Sequence, residues 1–376
     1  MRSYFAVFAL GTICLTACSN TSSSPLAIAP ETGYAPARQL QAAKNFSCAK
    51  SECIYVTNPV VTNSTGKSIG GSITIYPASA NGNVAPVQVI TGPNTGLTSP
   101  WGVAVDKDHN IYAANNNFGY RYTPSITVYK LEATANQAPF RDISGSNTQL
   151  CSPSGIAVSS EDDIYVDDAL GTTSGLCYAV RVFGPTANLN VAPIRQIVGN
   201  NTLLSSPVAV SLYKNLVYVL NQGNVNPVAL LSFGANGNGN IAPGTNVSGN
   251  KAFTFAYADG VAVSSANKTA YVVNHLNFVD QWGCPTYGGS GAGQILGFSV
   301  KANGNVAPTV NISGGNTGFV SPCSDAVDKE GRIYVTDTAA NAIFVFAAGA
   351  NGNVAPIQVI QGANTQLVAP EDIAVL

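Results

Sequence analysis

One element recurs six times along the chain and constrains it more than any other feature. An Ala-Pro pair follows an Asn-rich turn, with prolines at Pro86, Pro139, Pro193, Pro243, Pro308 and Pro356, spaced by 53, 54, 50, 65 and 48 residues. Four copies read NGN[VI]AP, starting at Asn81, Asn238, Asn303 and Asn351, and most are followed about eleven residues later by GxNT. A fixed period of this length marks a chain built from one supersecondary unit, stacked so that neighbours bury each other's apolar faces.

Each unit reads as four short strands. The first follows a proline or its equivalent, as in PWGVAV from Pro100. The second is IYVxN-like, the third I-x-V-[YF]-like, and the fourth follows Ala-Pro. Runs of β-branched residues alternating with small ones suit strands covered by neighbouring sheets. The Asn-Gly step between third and fourth strands suits a tight turn with positive φ. Val, Ile, Tyr and Thr abound alongside 37 Gly and 21 Pro, and strongly helical stretches are scarce, which is an all-β composition. Four-stranded repeats in series make a β-propeller.

The pattern P-x-G-[VI]-A-V-D…N-I-Y-V-x-[ND]…I-x-V-[FY], over residues 47–376, resembles the NHL-repeat propellers. Second strands occur at Cys53, Ile111, Ile164, Val217, Ala270 and Ile333. The one at Cys53 has no first strand before it, and the first strand at Ile373 has no second strand after it. Together the two complete one blade. The expectation is a closed ring of six, its C-terminal strand paired with the N-terminal strands. Some six-bladed propellers of this kind are metal-dependent lactonases with a Glu, Asn and Asp ring. No such ring maps onto this sequence residue by residue.

The N-terminus points to the cell envelope. Arg2, an apolar run over 4–15 too short to span a bilayer, and LTAC ending at Cys18 resemble the lipobox of bacterial lipoproteins. The expected division is a signal peptide (1–17), a lipid-anchored Ser/Thr/Pro/Ala-rich tether (18–46) and the propeller (47–376). Diacylglycerol and palmitate on Cys18 anchor such a chain stably, and Ser19 after it favours the outer membrane. Charged residues are only 10% of the chain and the net charge is −2, so a nucleic-acid partner is not expected. A monomer is.

Six cysteines remain after Cys14 and Cys18. Aligned on the repeat, Cys151 and Cys177 flank one blade on one face, and Cys284 and Cys323 fall in adjacent blades on the same face. The expected pairs are Cys151–Cys177 and Cys284–Cys323, leaving Cys48–Cys53. With no C-x-x-C and only two His, cysteine-bound metal is the minor alternative.

The repeated Asn or Asp closing each second strand (Asn58, Asn115, Asp168, Asn221, Asn274, Asp337) is read as a per-blade hydrogen-bond acceptor for the following turn. The repeated Tyr is read as core. Function is expected where blades differ. The 65-residue unit carries a long connection over 275–292, with His275, Trp282 and Tyr287. The residue after the first-strand proline, or its equivalent, is Trp101 in one blade, Asp259 in another and Glu371 in a third, next to Asp372. Asp325 replaces the packed Val103 and Ile156 of other blades. These acids are read as facing a channel mouth, where they could hold calcium or another divalent cation or share protons. Two functions follow: a binding or scaffolding module for a protein or glycan ligand, or a cation-dependent hydrolase or lyase.

Overall fold

The computed structural model describes residues 47–59, 70–116, 122–169, 171–172, 175–222, 228–254, 257–275, 284 and 293–376. Cys18, the tether, Trp282 and Tyr287 lie outside the described residues. No helix among the described residues is long and apolar enough to cross a membrane.

Six four-stranded antiparallel sheets follow one another. Blade 1 runs from the inside out as Ile373–Val375, Cys53–Asn58, Ser72–Pro77 and Gln88–Thr91. Blade 2 is Pro100–Val105, Ile111–Asn115, Ser125–Tyr129 and Arg141–Ser144. Blade 3 is Pro153–Val158, Ile164–Asp168, Ala179–Phe183 and Arg195–Val198, with a two-stranded hairpin (Gly171–Thr172, Gly175–Leu176) between its second and third strands. Blade 4 is Pro207–Tyr213, Leu216–Asn221, Ala229–Gly234 and Thr245–Ser248. Blade 5 is Tyr257–Ser264, Thr269–His275, Gly293–Ser299 and Val310–Ile312. Blade 6 is Pro322–Val327, Ile333–Asp337, Ala342–Phe346 and Gln358–Gln361.

The first strands touch in a closed cycle, each packing on that of the next blade, with blade 6 meeting the C-terminal strand and that strand meeting blade 2. The chain is a six-bladed β-propeller. Its closure is the one expected: Ile54 pairs with Val375, Tyr55 with Ala374 and Val56 with Ile373.

Each blade interface holds one apolar cluster. The repeated tyrosines (Tyr55, Tyr112, Tyr165, Tyr218, Tyr271, Tyr334) are all buried. The third residue after the first-strand proline, or its equivalent, joins the cluster shared with the preceding blade as Val103, Ile156, Val210, Val261 and Ile373. Blade 6 puts Asp325 at this position.

The Asn-rich turns do more than reverse the chain. Each folds onto the outer strand of the preceding blade; five extend it as a short parallel bridge, and in the sixth Leu189 N donates to Asp142 O while Ser144 N donates to Leu189 O. In blade 6, Gln361 N donates to Gly82 O (3.2 Å) while Gly82 N donates to Val359 O (2.6 Å). Asn81 Oδ1 accepts Val359 N at 2.9 Å, and Asn83 Oδ1 accepts Asn364 N at 2.8 Å. The second Asn repeats this clasp at all six interfaces, through Asn83, Asn136, Asn190, Asn240, Asn305 and Asn353. The middle residue has positive φ in every strap, including the non-glycines Ala135 (47°) and Leu189 (58°). The first glycine of GxNT faces the clasp. A Cβ on Gly362 would lie 2.5 Å from the Asn83 carboxamide carbon, so only glycine fits. The straps cover the outer edge strands, which would otherwise offer free backbone groups to another chain.

The acids and amides closing the second strands have a per-blade task, though mostly toward the loop entering the blade. Asp168 accepts the amides of Cys151 and Ser152, Asn221 those of Ser205 and Ser206, and Asp337 those of Val320 and Ser321. Asp337 also takes an amide of the turn that follows, Ala340 N.

Candidate functional site

The first strands are bulged. Register shifts between Pro100 and Gly102, Pro153 and Ile156, Ala258 and Val261, and Pro322 and Asp325. A bulge leaves one backbone N–H without a ladder partner and turns consecutive side chains in different directions. That geometry sorts the acids found in the sequence into two groups.

The first group gathers at the mouth. Asp259 Oδ2 accepts a hydrogen bond from His275 Nε2, the pair being nearly buried. Asp259 Oδ1 accepts Gln222 Nε2 from blade 4 at 2.9 Å. The Tyr257 ring stacks on the imidazole, with centroids 6.1 Å apart. Cys284 Sγ lies 3.4 Å from Asp259 Oδ2. Across from it, Glu371 Oε1 accepts the Cys284 amide at 3.1 Å. Burial pushes the Glu371 carboxyl up to about 8, the Cys284 amide opposes this, and Asp259 and Asp372 add to it. Disulfides join Cys284 to Cys323, Cys151 to Cys177 and Cys48 to Cys53, the pairs the repeat alignment indicates. Cys323 is itself the second residue of a first strand, not part of a loop.

The second group lies deeper. Asp372, immediately before the closing strand, accepts Val103 N from blade 2 (2.7 Å) and Ser324 Oγ from blade 6 (2.6 Å). One carboxylate thus ties three blades across the ring seam. Burial pushes it up to about 6. Asp325, 4% exposed, reaches neither the mouth nor a partner among the described residues, and both its carboxyl oxygens are buried without a hydrogen bond. It packs toward blade 5, where a Cβ on Gly260 would stand 2.9 Å from its Oδ1. Burial, with Asp372 next, raises its pKa well above the ordinary carboxylate range.

The reading that Asp259, Asp325 and Glu371 surround one mouth is therefore corrected. Asp259 and Glu371 meet at one disulfide, and Asp325 is held in a blade interface because it stands two residues further along a bulged strand. Trp101 is half-buried at its place in blade 2, and its carbonyl accepts Thr57 Oγ1 at 3.1 Å.

Asp167 is among the buried acids that escaped sequence reasoning. Asp167, the penultimate residue of its second strand, accepts Ser154 Oγ and the Gly155 amide (2.9 Å). Burial pushes it up to about 7. Thr57 and Thr336 occupy the same column and satisfy the same bulge amide in their blades, that of Asp372 (3.0 Å) and of Ser324 (3.0 Å). A carboxylate in a column otherwise filled by Thr, Ala, Leu and Val was the signal available.

No protein-family profile matches the chain, and no curated protein does. Among solved structures, a protein of unknown function from Bacteroides caccae aligns over 87% of this chain and 99% of its own, at 8% identity and a TM-score of 0.55. Hydrazine synthase of Kuenenia stuttgartiensis aligns over 73% of this chain and 70% of its own (14% identity, TM-score 0.48). The WD40 β-propeller domain of Doa1 aligns over 78% of each chain (10% identity, TM-score 0.47). At these identities the likeness concerns the fold alone.

Proposed function

We propose that the chain is a binding and scaffolding module of the bacterial cell envelope, held to the outer membrane by lipid on Cys18, that engages a protein or glycan through its loop face. One observation carries the reading. The blades are alike at the rim and differ where their first strands begin, with Trp101, Ser154, Val208, Asp259, Cys323 and Glu371 in one column. Departures from a repeat mark the surface on which selection for a ligand acts, and irregular segments on a rigid scaffold are where recognition residues gather. The long connection over 275–292 is the other place where one blade's sequence departs from the repeat, and it carries Trp282 and Tyr287. The NHL-like repeat pattern is part of this reading.

Photo-crosslinking in living cells tests it. A reactive residue at position 101 should form adducts, and one at position 350 on a rim strap should not. Equal labelling of both, or none from 101, would remove the loop face as the binding surface. Metabolic labelling with a lipid precursor should mark the chain, and Cys18→Ser should abolish the label and release the protein from membranes.

A second reading, a hydrolase or lyase at the channel mouth, is favoured by Glu371. Burial pushes this carboxyl up to about 8, and a carboxyl whose proton affinity is raised toward neutrality is what a general acid requires. Calcium or another divalent cation would find hard oxygen donors in Asp259 and Glu371. Turnover of an ester or glycoside that Glu371→Gln abolishes would support it, and a melting temperature unmoved by calcium would argue against the cation.

A further inference from the structure

The disulfide at the mouth stands in an unusual setting for a structural crosslink. Both sulfurs, of Cys284 and Cys323, lie within 4.8 Å of a Glu371 carboxylate oxygen and of each other. On the other side, Asp259 Oδ2 is 3.4 Å from Cys284 Sγ. Ligand atoms that share one tetrahedral zinc at about 2.0–2.3 Å stand roughly 3.3–3.8 Å from one another. Cys284, Cys323 and Glu371 therefore have the donor chemistry and the approximate spacing of three ligands of a zinc site, except for the covalent bond between the two sulfurs, and Asp259 Oδ2 approaches the Cys284 sulfur as the nearest further oxygen.

We propose that opening the Cys284–Cys323 disulfide converts the mouth into a zinc(II) site. Its ligands are Sγ of Cys284, Sγ of Cys323, a Glu371 oxygen and Asp259 Oδ2. His275 and Gln222, which hold Asp259 from behind, fix the orientation of that ligand, as outer-shell partners do in metal sites. A dithiol reductant supplies the two electrons and two protons that break the S–S bond and itself closes to a disulfide. Zinc then displaces both thiol protons and any proton on Glu371, so binding releases protons. Two thiolates beside two carboxylates repel one another without a counter-charge, and a dication supplies it. Thiolate donors also favour zinc over calcium, so the site selects zinc only when reduced.

The test uses the whole chain, reduced by an immobilised dithiol, freed of reductant under anaerobic conditions and titrated with Zn²⁺ or Co²⁺ alone. One equivalent should bind to the reduced protein and none to the oxidised one, and Co²⁺ should give a sulfur-to-cobalt charge-transfer band and the intense absorption of tetrahedral coordination. Glu371→Gln, which keeps every cysteine, should weaken binding at least tenfold. Cys284→Ser with Cys323→Ser, checked for folding by near-ultraviolet circular dichroism, should abolish the cobalt spectrum. Equal uptake by oxidised and reduced protein, or a reduced affinity unchanged by Glu371→Gln, would overturn the assignment. So would a cobalt spectrum that survives loss of both cysteines, since the thiols of Cys48, Cys53, Cys151 and Cys177 would then be responsible.

Discussion

The rim and the mouth of this ring are built from the same repeat and have diverged in opposite ways. At the rim, six straps make one clasp six times, with an Asn carboxamide accepting a backbone amide at 2.7–2.8 Å in each. At the mouth, the column after the first-strand proline or its equivalent holds six different residues in the six blades, Trp101, Ser154, Val208, Asp259, Cys323 and Glu371. Uniformity at the rim follows from its task, since every interface needs the same edge covered by the same length of strap. The mouth has no such per-blade requirement once the ring is closed. Its side chains are free to differ.

The largest effect should come from the seam. Removing 370–376 takes away the inner strand of blade 1, the packing of Ile373 and the carboxylate of Asp372 that reaches Val103 and Ser324. It also exposes the edge of Cys53–Asn58. The loss should exceed about 4 kcal/mol, beyond the range of ordinary single substitutions, and should show as a collapsed unfolding midpoint or as aggregation. A truncated protein with an unchanged midpoint would show that the rim straps alone hold the ring, reversing the ranking of the two regions.

Asp325 should give the next largest effect, with the opposite sign. Five interfaces place an apolar side chain where blade 6 has this unpartnered carboxyl. Asp325→Val restores the common pattern and should stabilise the protein by about 1–3 kcal/mol, the cost of leaving a polar group buried without a hydrogen bond. Urea unfolding at pH 7 measures it. A destabilised variant would mean that the carboxyl has a bonded partner in solution, and the mouth's functional region would then extend into the blade interface.

The pH dependence separates the two regions, because the clasps at the rim are neutral amides. Glu371, Asp167 and Asp372 have folded pKa values raised to about 8, 7 and 6. In each case the folded state holds its proton more tightly than the unfolded chain. The stability they contribute is complete below the ordinary carboxylate range, near 4, and is lost as pH rises through the folded values. The unfolding free energy should therefore fall between about pH 4 and pH 8 and level off above. Glu371→Gln should flatten the upper part of that slope. A profile that rises over this range would refute the burial of these acids.

How far the sequence could be read follows the same division. Strand order, blade number, ring closure and cysteine pairing were legible because each is fixed within a period or between two copies of it. The Asn-Gly turns were legible as positive-φ turns, yet their main task was not. Asn83 clasps Asn364, 281 residues away, and that partner exists only once the ring is closed. The acids were legible as departures from the repeat, but their directions were not. A bulge between Pro322 and Asp325 decides that Asp325 enters a blade interface while Glu371, one residue after its own proline, faces the disulfide.

The rim should yield the smallest effects, and these test whether its six clasps are equivalent. Replacing any one second Asn by Ala, such as Asn353→Ala, removes one hydrogen bond to a largely exposed amide, and should cost about 0.5–1.5 kcal/mol with little variation among the six. Two straps depart from the pattern in ways that can be repaired. Leu189 holds φ at 58° where four straps use glycine, so Leu189→Gly should relieve left-handed strain of roughly 1 kcal/mol, offset in part by the greater freedom of glycine in the unfolded chain. The strap over 134–136 has Thr134 where the other five have the first Asn, and Thr134→Asn offers an acceptor to the outer strand of blade 1 in the way Asn81 serves Val359. A gain of a few tenths to about 1 kcal/mol is expected from this change, read from the urea midpoint. If Thr134→Asn instead destabilises while Asn353→Ala costs the expected amount, the interface between blades 1 and 2 differs from the other five, and the rim is not the uniform element that the comparison with the mouth takes it to be.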